Sequence, residues 1–277
     1  MRLNLVSVYK IFSMKKLIFL FFLFATFISN AQESFFRGNN NYVVPVAPPI
    51  PTGTNPVTNG LILYLDATRP ASYAGTGSTW SDLSTQNNTA TLIGNPPYTY
   101  NPANFTFGPN VIATTTKSDV ALSAATYIAW VNPSQTQGEY TGVIYSRNGY
   151  GGGTGPATGL VLYRNNSVGY TWDNVPATYN WNSNLFVPNL GWSMIAITVS
   201  ATTVTAYLCN ASGIATASNS LTHAPLSGLN FFIACDPFNR SLRAFTGKIG
   251  TAMVYSTALS AADITSIYNA QKVAFGL

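Results

Sequence analysis

The stretch "GWSMIAITVSATTVTAYLCN", residues 191–210, alternates apolar with small or polar side chains on both sides of the short linker "ATT". Successive side chains of a β-strand point to opposite faces. Ile195, Ile197 and Val199 therefore share one face of the first half, and Val204, Ala206 and Leu208 share one face of the second. Two such runs joined by a few residues fold back as an antiparallel hairpin with one packed side. A hairpin this apolar is expected at the centre of its sheet.

The same signal recurs on both sides of it. "LILYL", "TATLI", "NVIATT", "TYIAWV", "GVIYS", "GLVLYR", "SVGYTW", "TYNW", "NFFIAC" and "FTGKIGTAMVYS" are short β-type runs punctuated by Gly, Asn and Pro. About a dozen strands at this spacing indicate a sandwich or barrel rather than alternating strand and helix units. Only "ALSAADITSIYNAQK" reads as a helix. Ser260 followed by Asp263 makes a capping box, in which the hydroxyl and the carboxylate each satisfy a free amide of the first turn. The expected fold is all-β, two antiparallel sheets with one short C-terminal helix, over residues 59–277.

Upstream, Lys15 and Lys16 precede "LIFLFFLFATFI" and then Ser29, Asn30 and Ala31. Positive charge, a short greasy core and small residues in that order read as a signal peptide over residues 1–31, with Met1 or Met14 as the start and cleavage after Ala31. The apolar run has 12 residues, whereas a membrane span takes about 20, so no transmembrane span is expected in the mature chain. Gln32 stands where a lipid anchor would need a cysteine. Residues 32–58, with "GNNN", "PVAPPIP" and "TGTNP", form an arm or linker kept extended by prolines. The protein is expected to be exported to the periplasm, the cell surface or the medium.

The formal net charge of +5 overstates the mature protein's basicity, because four of the 13 basic residues (Arg2, Lys10, Lys15 and Lys16) leave with the leader, and nine then face eight acids. No dense basic run remains to track a phosphate backbone, which argues against nucleic acid as a partner. Charged residues are only 8% of the chain, so its solvated faces must be built from Ser, Thr, Asn and Gly. Cys209 and Cys235 each end a strand, and in an oxidising compartment they form one disulfide or remain as two buried thiols. Two Cys and one His cannot supply the four ligands of a structural zinc site.

Three segments taken together resemble the concanavalin A-like lectin/glucanase superfamily, in its laminin G-like branch. "GLILYLDATRPASYAGTGSTWSDLS" with "NNTATLIG" is similar to the first strand and first long loop of such domains. "GWSMIAITVSATTVTAYLCN" is similar to their Trp-led hairpin, and "FTGKIGTAMVYSTALSAADITSIYN" to their closing strand and helix. The resemblance implies a jelly roll of two antiparallel sheets, one curved, in a family that mostly binds glycans or protein partners, sometimes with calcium. Gly250 and Thr251 stand where many relatives carry an acidic pair, so any role of that pair is absent, and Cys209 stands where relatives often place a small polar residue.

Catalysis finds little support in the residues. Glycoside hydrolysis needs two carboxylates about 5–9.5 Å apart, yet the mature acids are Glu33, Asp66, Asp82, Asp119, Glu139, Asp173, Asp236 and Asp263, all well separated in sequence. His223 is the single histidine, and no nucleophile elbow accompanies it, so it reads as a loop imidazole rather than a general base. "GYGGGTGPATG" at residues 149–159 lacks the lysine of a phosphate loop and reads as a loop overhanging a binding face. Calcium takes oxygen ligands, which Asp82, Asn87 and Asn88 in one loop and Asp236 and Asn239 in another would offer, although these residue types also favour turns.

"GYTWDNVPATYNWNSN", residues 169–184, is the richest binding candidate. If "SVGYTW" and "TYNWN" pair across "DNVPA", then Tyr170, Trp172, Tyr179 and Trp181 gather on one face, either as core or as a platform for a sugar ring. Asp173 and Asn174 between them carry the planar polar groups that hydrogen-bond sugar hydroxyls. The ligand residues expected are Trp172, Asp173, Asn174, Tyr179, Trp181 and Tyr150. The function expected is recognition of a glycan or a cell-surface partner without chemistry. A structural or assembly protein and a divergent hydrolase are the alternatives.

Overall fold

A computed structural model describes residues 55–147 and 156–277. The leader at 1–31, most of the arm at 32–58 and Tyr150 lie outside the described residues. Among those described, the chain forms strands β1 (Leu61–Asp66), β2 (Thr79–Trp80), β3 (Ala90–Ile93), β4 (Tyr98–Tyr100), β5 (Ala103–Phe107), β6 (Ile112–Thr115), β7 (Val120–Leu122), β8 (Ala125–Pro133) and β9 (Thr141–Arg147). They continue as β10 (Ala157–Leu162), β11 (Val168–Trp172), β12 (Ser193–Val199), β13 (Thr203–Asn210), β14 (Gly213–Ser220), β15 (Leu226–Leu229), β16 (Phe232–Ile233) and β17 (Gly247–Tyr255). A single helical turn, α1 (Pro176–Tyr179), follows β11, and helix α2 (Ala261–Gln271) follows β17.

These strands make two large antiparallel sheets. The eight-stranded sheet runs β14-β13-β12-β8-β17-β5-β4, and the seven-stranded sheet runs β11-β10-β9-β16-β6-β3-β2. Strand β1 joins the first sheet on the same edge of β17 as β5. Residues 247–249 of β17 pair with β5, and residues 251–255 pair with β1. At the seam, Gly250 O accepts from Ala67 N at 2.9 Å.

The hairpin of residues 191–210 forms as its alternation dictates, with Ile195 opposite Leu208, Ile197 opposite Ala206 and Val199 opposite Val204. All six side chains lie in the main core, where they meet Leu160, Leu162, Val168 and Tyr170 of the other sheet. Burying each such aliphatic side chain contributes about 1.5–3 kcal/mol. The hairpin nevertheless sits to one side of its sheet, not at the centre. The middle belongs to β8 and β17, and the polar strand β14 takes the edge beyond β13.

The outer face of the eight-stranded sheet is also apolar, because α2 and the C-terminal residues cover it. Trp130 stacks on Phe275 at 4.4 Å and on Tyr268 at 5.8 Å, and its indole donates to Gln271 Oε1 at 2.8 Å. Gly250 makes this close approach feasible, since a Cβ there would overlap the Phe275 ring. The capping box opens α2: Ser260 Oγ accepts from Asp263 N at 3.2 Å, and Asp263 Oδ2 accepts from Ser260 N at 3.0 Å.

Of the two alternatives for Cys209 and Cys235, the structure has the second: both are free, buried thiols. Cys209 packs with Met194 and Tyr268 outside one sheet, whereas Cys235 packs with Ile112 and Phe232 outside the other. The sandwich core, with sheets about 10 Å apart, stands between them. Burial pushes both thiols up to about 12.

Candidate functional site

The 169–184 stretch divides its four rings. Tyr170 and Trp172 belong to β11 and point inward, and Trp172 is only 1% exposed. Trp172 Nε1 donates to Ala224 O at 2.7 Å, and Tyr170 Oη lies 3.0 Å from His223 Nε2. His223 Nδ1 lies 2.7 Å from Ser200 O. That carbonyl requires a donor, so Nδ1 carries the proton and Nε2 accepts from the tyrosine. Burial lowers the His223 pKa against the opposing pull of that carbonyl. The histidine is a satisfied core residue.

The second half of the stretch does not form the expected strand. Asp173 and Asn174 take φ 51° and 56°, and Val175 N donates to Trp172 O at 3.1 Å, the pattern of a mirror-image turn that Asp and Asn tolerate. Pro176 then opens α1, where its fixed φ suits the first helical position and its missing N–H costs nothing. Thr178 Oγ1 clasps this turn to the strand, accepting from Trp172 N at 3.0 Å and donating to Val175 O at 2.7 Å. Tyr179 is thereby carried to the outward face of the seven-stranded sheet. Trp181 stays half-buried, edge-on to Tyr170 at 5.8 Å.

That outward face holds two adjoining depressions. A cleft of about 280 Å³ is lined by Tyr140, Tyr145, Arg147, Thr171, Asn174, Tyr179, Phe238 and Arg243. A groove of about 260 Å³ shares Tyr140 and Tyr179 with it and continues past Tyr163, Asn180, Trp181, Asn182 and Phe186. Tyr140 stands between them, edge-on to Tyr163 at 5.7 Å and to Tyr179 at 5.8 Å. Its φ of 57° is the left-handed region, strained for a bulky side chain and tolerated only where the surroundings hold it. Buried Gln137 steadies this loop, exchanging hydrogen bonds with the Thr246 backbone at 2.8 and 2.9 Å.

The floor of the cleft is an arginine pair on one carboxylate. Asp236, fully buried, accepts from Arg147 Nε at 3.1 Å and from Arg243 Nη1 at 2.7 Å, and also from Phe238 N at 2.9 Å. Arg147 Nη2 donates to Tyr145 Oη at 3.1 Å. Phe238, 40% exposed, lies against both guanidiniums, at 5.4 Å from Arg147 and 4.3 Å from Arg243. Burial, with the Asp236 charge beside it, pushes the Tyr145 phenol up to about 12. Burial opposes the charge of Arg147, but Tyr145 and Asp236 outweigh it and raise its pKa, so the guanidinium stays protonated. Gly142 lets the 235–243 loop lie flat on β9, since a Cβ there would overlap the backbone of Cys235 and Asp236.

Of the ligand residues expected from sequence, Asn174, Tyr179 and Trp181 meet at these depressions, Trp172 is core, and Asp173 is exposed outside both linings. Tyr150 lies outside the described residues. The oxygens of the calcium candidates are engaged by other partners. Asp82 spends its carboxylate on Tyr64 N, Ser84 N, Ser84 Oγ and Asn88 N, at 2.6–2.9 Å, Asn88 Oδ1 accepts from Lys117 N at 3.0 Å, and Asp236 is held by two cations. Asn87 and Asn239 lie in turns, Asn87 at φ 53° and Asn239 accepting from Ser241 N and Leu242 N. Among the described residues, no three His, Cys, Asp or Glu side chains are grouped to hold a metal ion. Sequence reasoning missed Tyr145 and Arg147. Their alternation with Ile144 in "GVIYSR" was the signal that both face away from the core.

The family model of the concanavalin A-like lectin/glucanases superfamily matches residues 107–265, more than half of the chain, and the chain belongs to that superfamily. Similar solved structures include domain 4 of AbnA, a GH43 extracellular arabinanase from Geobacillus stearothermophilus, in complex with arabinotriose. It aligns with TM-score 0.55 and 13% identity over 76% of this chain and 99% of that domain. Trypanosoma rangeli sialidase in complex with the inhibitor DANA aligns with TM-score 0.55 and 14% identity over 79% of this chain, which spans 34% of the sialidase chain. A GH54 α-L-arabinofuranosidase soaked with a cyclic sulfate inhibitor aligns with TM-score 0.54 and 12% identity over 72% of this chain and 51% of that one. At these identities the likeness is one of fold. No curated protein sequence matches the chain.

Proposed function

We propose that the protein is an exported, non-catalytic module that recognises carbohydrate along the cleft and groove on the outward face of β9–β11. The observation that carries this reading is the run of rings around Tyr140, with Tyr179, Tyr163 and Trp181 beside the planar amides of Asn174, Asn180 and Asn182. Rings stack on the apolar faces of a sugar while amides take its hydroxyls, the combination expected of a site that binds small polar molecules. The cleft is smaller than the roughly 300–1,000 Å³ of pockets that engulf a drug-sized ligand, which suits one sugar ring in the cleft and a second in the groove. The arabinanase domain seen with arabinotriose supports the same reading, as does the leader at Lys15 and Lys16 for export.

Hydrolysis is not favoured by the lining. Among the described residues Glu139 is its one carboxylate, paired with Arg164 at 2.6 Å, whereas glycoside cleavage takes two. A glycan array followed by calorimetry, with and without chelator, tests the proposal. Trp181→Ala and Tyr179→Ala are expected to weaken binding about fivefold or more, and intrinsic tryptophan fluorescence should change on titration. Blank arrays with a stable protein complex in pull-down would favour an assembly role instead, and sugar release abolished by Glu139→Gln would favour a hydrolase.

A further inference from the structure

We infer that the ligand of the cleft is an acidic sugar, a hexuronate whose carboxylate is held by the guanidinium of Arg243 with Arg147 behind it. The inference rests on the carbohydrate reading above and names the class of sugar. In a chain with only 8% charged residues, two arginines converge on one small cleft, and among the described residues no carboxylate lines it. The single acid beneath them, Asp236, is completely buried and shared, so two positive charges face one negative. Tyr145 keeps its proton near neutral pH and adds no negative charge. The adjoining groove carries Glu139 and Arg164, which neutralise each other, and exposed Asp173 is outside the lining. The cleft therefore keeps a positive excess.

The geometry suits a planar anion. A guanidinium presents five N–H donors in a rigid fork that matches a carboxylate two bonds at a time. Arg243 shows one hydrogen bond to Asp236, and a quarter of its side chain is exposed at the cleft. Phe238 at 4.3 Å and Tyr140 at 5.0 Å flank its guanidinium, so the fork is positioned before any ligand arrives, and little ordering entropy is lost on binding. Of the two arginines on Asp236, Arg243 is the more exposed and the one whose side chain reaches solvent at the cleft. Asn174 and Tyr179 on the opposite wall are left to meet the ring and its hydroxyls.

The test is calorimetric titration of the purified protein with trigalacturonate and with a glucuronate-bearing xylotriose, each beside its carboxyl methyl ester, and with neutral arabinotriose and xylotriose. The acid is expected to bind about 10-fold to 100-fold tighter than its ester, as a charge-assisted hydrogen bond would give. That preference should shrink as ionic strength rises from about 0.05 to about 0.5 M. Arg243→Gln, which keeps a donor toward Asp236, should abolish the preference while neutral sugars still bind, and Arg243→Lys should restore part of it. Equal binding of acid and ester, or a preference that survives Arg243→Gln, overturns the inference. Neutral sugars bound in the cleft with no preference for acid would leave the carbohydrate reading standing alone, and failure of every oligosaccharide would remove both.

Discussion

Replacing Asp236 with alanine strips the carboxylate from beneath two arginines, and the consequence can be worked from the burial of the pair. Arg147 and Asp236 have side chains 5% and 0% exposed. Four donors lose the carboxylate, Arg147 Nε and Nη2, Arg243 Nη1 and Phe238 N, and of these Nη2 keeps Tyr145 Oη. Removing one member of a buried ion pair costs about 3–5 kcal/mol, most of it from the stranded charge. With about 2–4 °C per kcal/mol for a domain of this size, Tm should fall by about 6–20 °C. Thermal and urea denaturation measure the loss. Adding Arg147→Met to Asp236→Ala should recover roughly half of it, because the more deeply buried of the two stranded charges is then gone. A loss under about 1 kcal/mol would mean that the pair behaves as an exposed ion pair and would refute the reasoning. So would a wild-type Tm that drops equally on adding chelator, since Asp236 would then be holding a cation.

Phe275→Ala should cost about 3–5 kcal/mol by emptying the space between Trp130 and Gly250, read by urea denaturation and by loss of the near-ultraviolet signal of the stacked indole. Both thiols should resist an aromatic disulfide reagent at about pH 8 in the native state, being buried and raised to about 12, and both should react after denaturation. Titration of only one or neither thiol in the denatured, unreduced protein would contradict the free-thiol assignment. The His223 pKa is lowered in the folded state, so the unfolded chain takes up the proton first. Its contribution to stability is fully present above pH 6.5 and is lost as pH falls from there through the folded value. His223→Gln should flatten that acid limb in denaturation midpoints measured across pH.

The fold was legible where burial is one-sided or complete. The 191–210 hairpin, the "FTGKIGTAMVYS" strand and the capped helix at Ser260 all carry their patterns in full. Strand β14, "GIATASNS", left no such trace, because an edge strand exposed along most of its length has no apolar face to reveal it. Residues 178–181 misled for a different reason. Tyr and Trp favour strands, but Pro176 and the Thr178 hydroxyl impose a turn that propensity alone does not reveal. Asp236 drew attention as an oxygen ligand, and its position in the sequence gave no sign of Arg147, 89 residues away, on the neighbouring strand. Charge pairs that close over such distances are a product of topology, not of local pattern.

The seam at β17 also decides how the molecule is presented. Asn55 donates to the Tyr255 hydroxyl at 2.9 Å, that hydroxyl donates to Val57 O at 3.1 Å, and Val57 packs against the helix-covered layer. The cleft opens on the opposite layer. Asn55 and Val57 are thereby fastened to the back of the sandwich, and the arginine-floored cleft is left clear of them.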